Sequence, residues 1–109
     1  EETAAKYYTE LGYTIRERNW QAGHREIDLI VENDQRLIFV EVKGGRDDFM
    51  GHPAHRVDER KQRLLIEAAQ AYLAAHDPGA RDVQFDVLIV LRTENDTRIE
   101  RLENAIQNE

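Results

Sequence analysis

A chain of 109 residues that is 40% hydrophobic and 34% charged has the size and make-up of one ordinary globular domain, with a single core that buries roughly two-thirds of the unfolded surface. Its net charge of −7 argues against a general nucleic-acid coat protein, whose affinity comes from neutralising phosphates, but not against a protein that groups its cations locally. Without cysteine it has no disulfide frame and no thiolate metal site, which suits the cytoplasm, and no apolar run approaches the ~20 residues that span a membrane.

Ala4, Ala5, Tyr8 and Leu11 recur at helical spacing, and Gly12 ends the run. Glu1 shares that face, and whatever precedes it lies beyond the reach of this sequence. Tyr13 to Gln21 reads as a first strand with Tyr13, Ile15 and Trp20 inward, and Gly23-His24 as a turn. Arg25 to Glu32 and Gln35 to Lys43 read as two further strands joined at Asn33-Asp34, a two-residue hairpin signal. Gly44 to Val57 is a long polar loop. Asp58 is placed to cap a helix running to about His76, with Leu65, Ala68, Ala69 and Tyr72 as its apolar stripe and Pro78-Gly79 as its stop. Val83 to Leu91 is apolar almost throughout, as in a strand internal to a sheet. From Arg98 onward, Ile99, Leu102 and Ile106 fit a helix, and a short strand ending near Leu102 fits equally well.

The second and third strands carry charge where burial is expected. With Asn33 and Asp34 as the loop, Ile30 faces Leu37, Asp28 faces Phe39 and Glu26 faces Glu41. Alternation then puts Glu26, Asp28 and Ile30 on one face with Leu37, Phe39, Glu41 and Lys43, and Ile27, Leu29, Val31, Ile38, Val40 and Val42 on the other. Asp28 and Glu41 become diagonal neighbours, α-carbons roughly 7–8 Å apart and able to share one cation. A slip of one residue would part them.

Hard divalent cations take carboxylate, carbonyl and water oxygens. Asp28, Glu41 and the Val42 backbone carbonyl offer such a set to Mg2+ or Mn2+, which would bind a phosphate oxygen and activate water. Lys43 could hold that water or offset transition-state charge, and Glu26 could orient the ligands. The plain alternative is that Glu26 and Glu41 pair with Lys43 and Arg25 across a half-exposed sheet. Gln62 and Lys61 open the following helix, where they could reach a ligand and a phosphate or simply face solvent. Arg56, Arg60, Lys61 and Arg63 form one basic cluster and Arg16, Arg18 and Arg25 another; for any one of these alone a solvated surface is the simpler explanation. His52 and His55 lack a third ligand at a spacing zinc sites use.

Taken in order, Glu1 before Ala4-Ala5, Gly12-Tyr13, Arg18-Asn19-Trp20, Glu26-Ile27-Asp28-Leu29-Ile30, Phe39-Val40-Glu41-Val42-Lys43, Val57-Asp58, Lys61-Gln62, Tyr72-Leu73, Phe85-Asp86-Val87 and Glu103-Asn104-Ala105 resemble the YraN-like family of small bacterial proteins, predicted endonucleases. That family is similar to archaeal Holliday-junction resolvases and to the restriction-endonuclease-like, or PD-(D/E)XK, superfamily. The resemblance covers nearly the whole chain. It implies an α/β fold, a restriction-endonuclease-like α-β-β-β-α-β core with a mixed sheet flanked by helices, as one nuclease domain over residues 1–109.

The resemblance also implies Asp28, Glu41 and Lys43 as motif residues, Glu1 as a further metal-side acid and Gln62 as an active-site helix residue; the local basic cluster, not the resemblance, points Lys61, Arg60 and Arg56 toward nucleic acid. The chain departs from the pattern at Ile27, where the superfamily motif has proline, and at Gly44-Gly45-Arg46, where a threonine-arginine start is usual. The expected function is a metal-dependent endonuclease acting on DNA, branched or flapped structures included, with no membrane role. Its counterpart is a module on the same fold that binds nucleic acid or a repair partner without cleaving. Resolvase-like relatives act as dimers, so a homodimer is an expectation of the resemblance alone.

Overall fold

The computed structural model describes residues 1–46 and 59–106, without the Arg46 side chain. Arg56, His52, His55, Asp58 and most of the loop expected from Gly44 to Val57 lie outside the described residues. Among the described residues no helix is long and apolar enough to cross a membrane.

Helix α1 spans Glu2–Glu10 and buries Ala4, Ala5 and Tyr8. Leu11, expected on the same stripe, is instead 49% exposed, because it is the C-cap and the chain leaves the helix there. Gly12 takes φ +96°. Its amide and that of Tyr13 return to the carbonyls of Thr9 and Tyr8, each at 3.0 Å, the paired bonds of a Schellman ending. The Tyr13 ring then meets Tyr8 edge-on at 5.8 Å, which fixes how the chain enters the sheet.

Strands β1 (Thr14–Ala22), β2 (Arg25–Glu32), β3 (Arg36–Arg46), β4 (Asp82–Arg92) and β5 (Thr97–Leu102) lie side by side in that order. β1, β2 and β3 form an antiparallel meander; β3 and β4 run parallel, and β5 returns antiparallel. The crossover from β3 to β4 carries helix α2 (Glu59–Ala75), whose buried stripe is Leu65, Ala68, Ala69 and Tyr72 as the spacing predicts. β4 is buried continuously from Phe85 to Leu91 because it is internal, with neighbours on both edges. The ambiguous tail resolves to strand β5. β3 runs three residues past the expected end, with Gly44, Gly45 and Arg46 paired to Val90, Leu91 and Arg92.

The β2–β3 hairpin turns one residue later than the sequence suggests. The Asn33 amide donates to the Arg36 carbonyl at 3.0 Å, and Asn33 Oδ1 accepts the amides of Gln35 at 2.9 Å and Arg36 at 2.8 Å. Asn33 therefore closes the loop with its side chain, and Asp34-Gln35 is the loop. Each β2 residue meets a β3 partner two places further on, Glu32 with Leu37, Ile30 with Phe39 and Leu29 with Val40. A shift of two preserves the faces, so Glu41 and Lys43 stay on the side of Leu37 and Phe39. Continued one step, this register brings Asp28 level with Glu41 rather than diagonal to it.

Two cores follow, one on each face. Leu29, Val31, Ile38 and Val40 pack with α1, and Ile30, Leu37 and Phe39 with α2. Ile27, expected beside Leu29, is found in the α2-side core. β1 makes the same change: Arg18 pairs with Glu2 of α1, yet Trp20 packs edge-on against Tyr72 of α2 at 5.1 Å. Arg18 is opposite Leu29 and Trp20 opposite Ile27, so alternation reverses in both strands at Asn19 and Asp28. Asn19 accommodates this with φ +49°, a left-handed conformation asparagine tolerates better than most residues. The strands change faces together.

A candidate metal centre where two strands part

The last β2–β3 ladder pair is Leu29 with Val40. One step beyond it, Asp28 Oδ2 accepts the Val42 amide at 2.8 Å, a bond that would otherwise go to a main-chain carbonyl of β2. Amide and carbonyl of one strand residue face the same neighbour, so the Val42 carbonyl faces this opening too. The reversal at Asn19 and Asp28 frees the aspartate from the face alternation that would aim it at a helix.

Glu41 is 4% exposed, and its Oε2 lies 3.4 Å from Lys43 Nζ and 3.3 Å from Lys61 Nζ. A buried carboxylate needs such compensation. Both distances exceed the ~2.8 Å of a tight charge-assisted hydrogen bond, so the ammoniums are loose partners. Burial raises the Asp28 carboxyl to about 7, against the lowering effect of the Val42 amide; the charge and hydrogen bond of Glu41 raise it further, as does the charge of Glu1. A second acid beside it disfavours the charged form of Asp28, so a cation placed between the two would favour that form again. Their oxygens, with the Val42 carbonyl beside them, fit the chemistry of a hard divalent cation.

The other expected residues divide. Glu1 caps α1 through its backbone, with no side-chain cap bond, and its charge acts on Asp28. Among the described residues no three acidic or imidazole groups converge as a metal-holding set, so Glu1 does not complete one. Glu26, expected to face Glu41, is exposed and accepts from Gln21 at 3.1 Å, because it sits beyond the end of the β2–β3 ladder and pairs with β1. Lys61 reaches Glu41 from the first turn of α2, and Gln62 follows it, half-buried. Arg60 and Arg63 are exposed in the same turn. Arg16, Arg18 and Arg25 are instead held by Glu32, Glu2 and Glu67 at 2.8, 2.6 and 2.8 Å.

Asp86, for which the sequence suggests no role, is fully buried in β4. It accepts the Tyr8 hydroxyl at 2.7 Å, Gln84 Nε2 at 2.9 Å, Arg101 Nε at 2.8 Å and the Asn104 amide at 3.0 Å. This ties α1, β4, β5 and the turn after it together on the α1 side. The signal that singled out Asp28, a charge inside an apolar strand, applies equally to Asp86.

A leading helix, a three-strand meander, a crossover helix and a parallel fourth strand, with an acid and an acid-x-lysine where two strands part, make a restriction-endonuclease-like α/β core. Residues 1–90 match the model of a family described as uncharacterised protein family UPF0102. The chain is 39% identical over 107 residues to the UPF0102 protein of Porphyromonas gingivalis, covering 96% of this chain and 78% of that one. It is 38% identical over 91 residues to that of Myxococcus xanthus, covering 84% and 72%, and 37% identical over 105 residues to that of Syntrophomonas wolfei subsp. wolfei, covering 96% and 91%. The chain belongs to the UPF0102 family, the YraN-like family its ordered motifs resemble.

Proposed function

We propose that this protein is a metal-dependent endonuclease that hydrolyses phosphodiester bonds in DNA, with branched or flapped DNA as the substrate class the resemblance favours. The observation that carries the reading is the Asp28–Glu41 pair at the opening between β2 and β3, with Lys43 Nζ 3.4 Å from Glu41. Asp28, Glu41 and the Val42 carbonyl would hold Mg2+ or Mn2+, which supplies Lewis acidity toward a phosphate oxygen when bound.

Lys43, on the same face as Glu41 and still partly open to solvent, holds the attacking water and offsets charge that develops on the phosphorus oxygens. Gln62 orients the same water from the helix. Arg60, with Lys61, meets the phosphate backbone. The arginines along β1 and the start of β2 are already neutralised by acids, so DNA approaches over the first turn of α2. The cysteine-free composition suits action in the cytoplasm, and two sites on one junction would call for a homodimer.

The test is cleavage of linear, flap and four-way DNA with Mn2+ by wild type, Asp28→Asn and Glu41→Gln. Either substitution should lower the rate at least about a hundredfold, since even groups that only support a metal ligand contribute 10- to 100-fold. Cleavage that survives both substitutions would remove the assignment. Tight DNA binding with no products under any metal condition would transfer it to the non-cleaving module.

A further inference from the structure

The centre already contains cations of its own. Glu41 Oε2 is shared by Lys43 at 3.4 Å and Lys61 at 3.3 Å, so one buried carboxylate already carries two ammoniums. A divalent ion entering between Asp28 and Glu41 would add two positive charges to a site whose glutamate is almost fully buried. Like charges in such a place repel strongly, which favours the departure of one ammonium from Glu41. The two lysines differ in their freedom to do so. Lys43 is held in β3, paired to Ile89 of β4, and its side chain is 22% exposed; Lys61 stands in the first turn of α2 with its side chain 43% exposed.

We infer that the Lys61 ammonium is a resident counter-cation that a divalent metal displaces from Glu41, freeing it for a phosphate of the incoming strand. Metal and phosphate binding are then coupled through one side chain, and coupling of this kind is reciprocal. The displaced ammonium swings out beside Arg60 and Arg63, where the backbone would lie. Without metal the same lysine lowers the cost of burying Glu41 and leaves the phosphate position weaker. The inference rests on the Asp28–Glu41 metal reading but needs no cleavage.

It is tested by calorimetric titration of Mn2+, without DNA, into wild type, Lys61→Met and Glu41→Gln, with Lys61→Gln as a second neutral variant. The neutral Lys61 variants should bind Mn2+ about fivefold or more tightly than wild type, a coupling typical of linked sites. Reductive methylation of Lys61, followed by mass spectrometry in wild type, should speed up when Mn2+ is added, as the amine leaves its carboxylate; a merely structural lysine would not respond. Wild type that takes up no Mn2+, or Glu41→Gln that titrates like wild type, would remove the metal centre and this inference together. A Mn2+ site lost in Glu41→Gln but not tightened by either Lys61 variant, or unchanged Lys61 methylation, would overturn the displacement alone.

Discussion

The Asp28 carboxylate accepts the Val42 amide at 2.8 Å, one step past the last main-chain pair between their strands, Leu29 with Val40. A side chain takes over where the ladder ends, so the acid is positioned before any ligand arrives. A cation held there would cost Asp28 less conformational freedom than a free side chain would lose.

The same placement makes stability depend on pH. The carboxyl titrates near 3.8 in a solvated chain and near 7 in the folded one. Between those values the folded protein keeps a proton that the unfolded chain has released, so stability falls as pH rises through that window and levels off above it. Metal-free protein should therefore melt higher at pH 5 than at pH 8, and Asp28→Asn should remove most of the difference. Mn2+ should reverse the order, because it binds the ionised pair in competition with the proton. Calorimetric melting across pH checks this, and an unchanged slope in Asp28→Asn would contradict it.

The Asp86 network is a separate matter of stability. Asp86→Ala leaves the Arg101 guanidinium, only 16% exposed, without its main partner, at a cost of about 3–5 kcal/mol. Tyr8→Phe removes one buried hydrogen bond and should cost about 1–3 kcal/mol. Urea denaturation measures both. Tyr8→Phe should cleave DNA at the wild-type rate, since Tyr8 packs on the α1 side and Glu41 projects to the α2 side.

The end of α1 offers a paired test of backbone against side chain. Gly12 holds φ +96° and an added Cβ would meet nothing within 4 Å, so Gly12→Ala should cost about 1–2 kcal/mol through conformation alone. Leu11→Gln, one residue earlier on an exposed C-cap, should change stability by no more than about 0.5 kcal/mol. Equal effects in denaturant titrations would mean the Schellman ending is not what holds the turn.

Local periodicity made both helices legible. Ala4, Ala5 and Tyr8, and Leu65, Ala68, Ala69 and Tyr72, are buried as their spacing predicts, because the face a helical residue occupies depends only on its neighbours in the chain. The acids and lysine of the candidate site stood out for a reason as general: charge in an apolar strand is costly in any fold. The hairpin slipped by one loop residue because Asn33 can serve as loop or as its cap, and only its bonds to Gln35 and Arg36 decide.

By itself, then, the sequence determined most element types, though not that of the tail after Arg98, and most of the core, and it singled out Asp28, Glu41 and Lys43 as candidates. The tertiary structure alone decided the face change at Asn19 and Asp28, the distance of Glu26 from Glu41, the arrival of Lys61 beside that glutamate and the bond from Tyr8 to Asp86 across 78 residues. These depend on how elements distant in the chain stack and compensate buried charge, and no local pattern encodes which cation will stand nearest a buried acid.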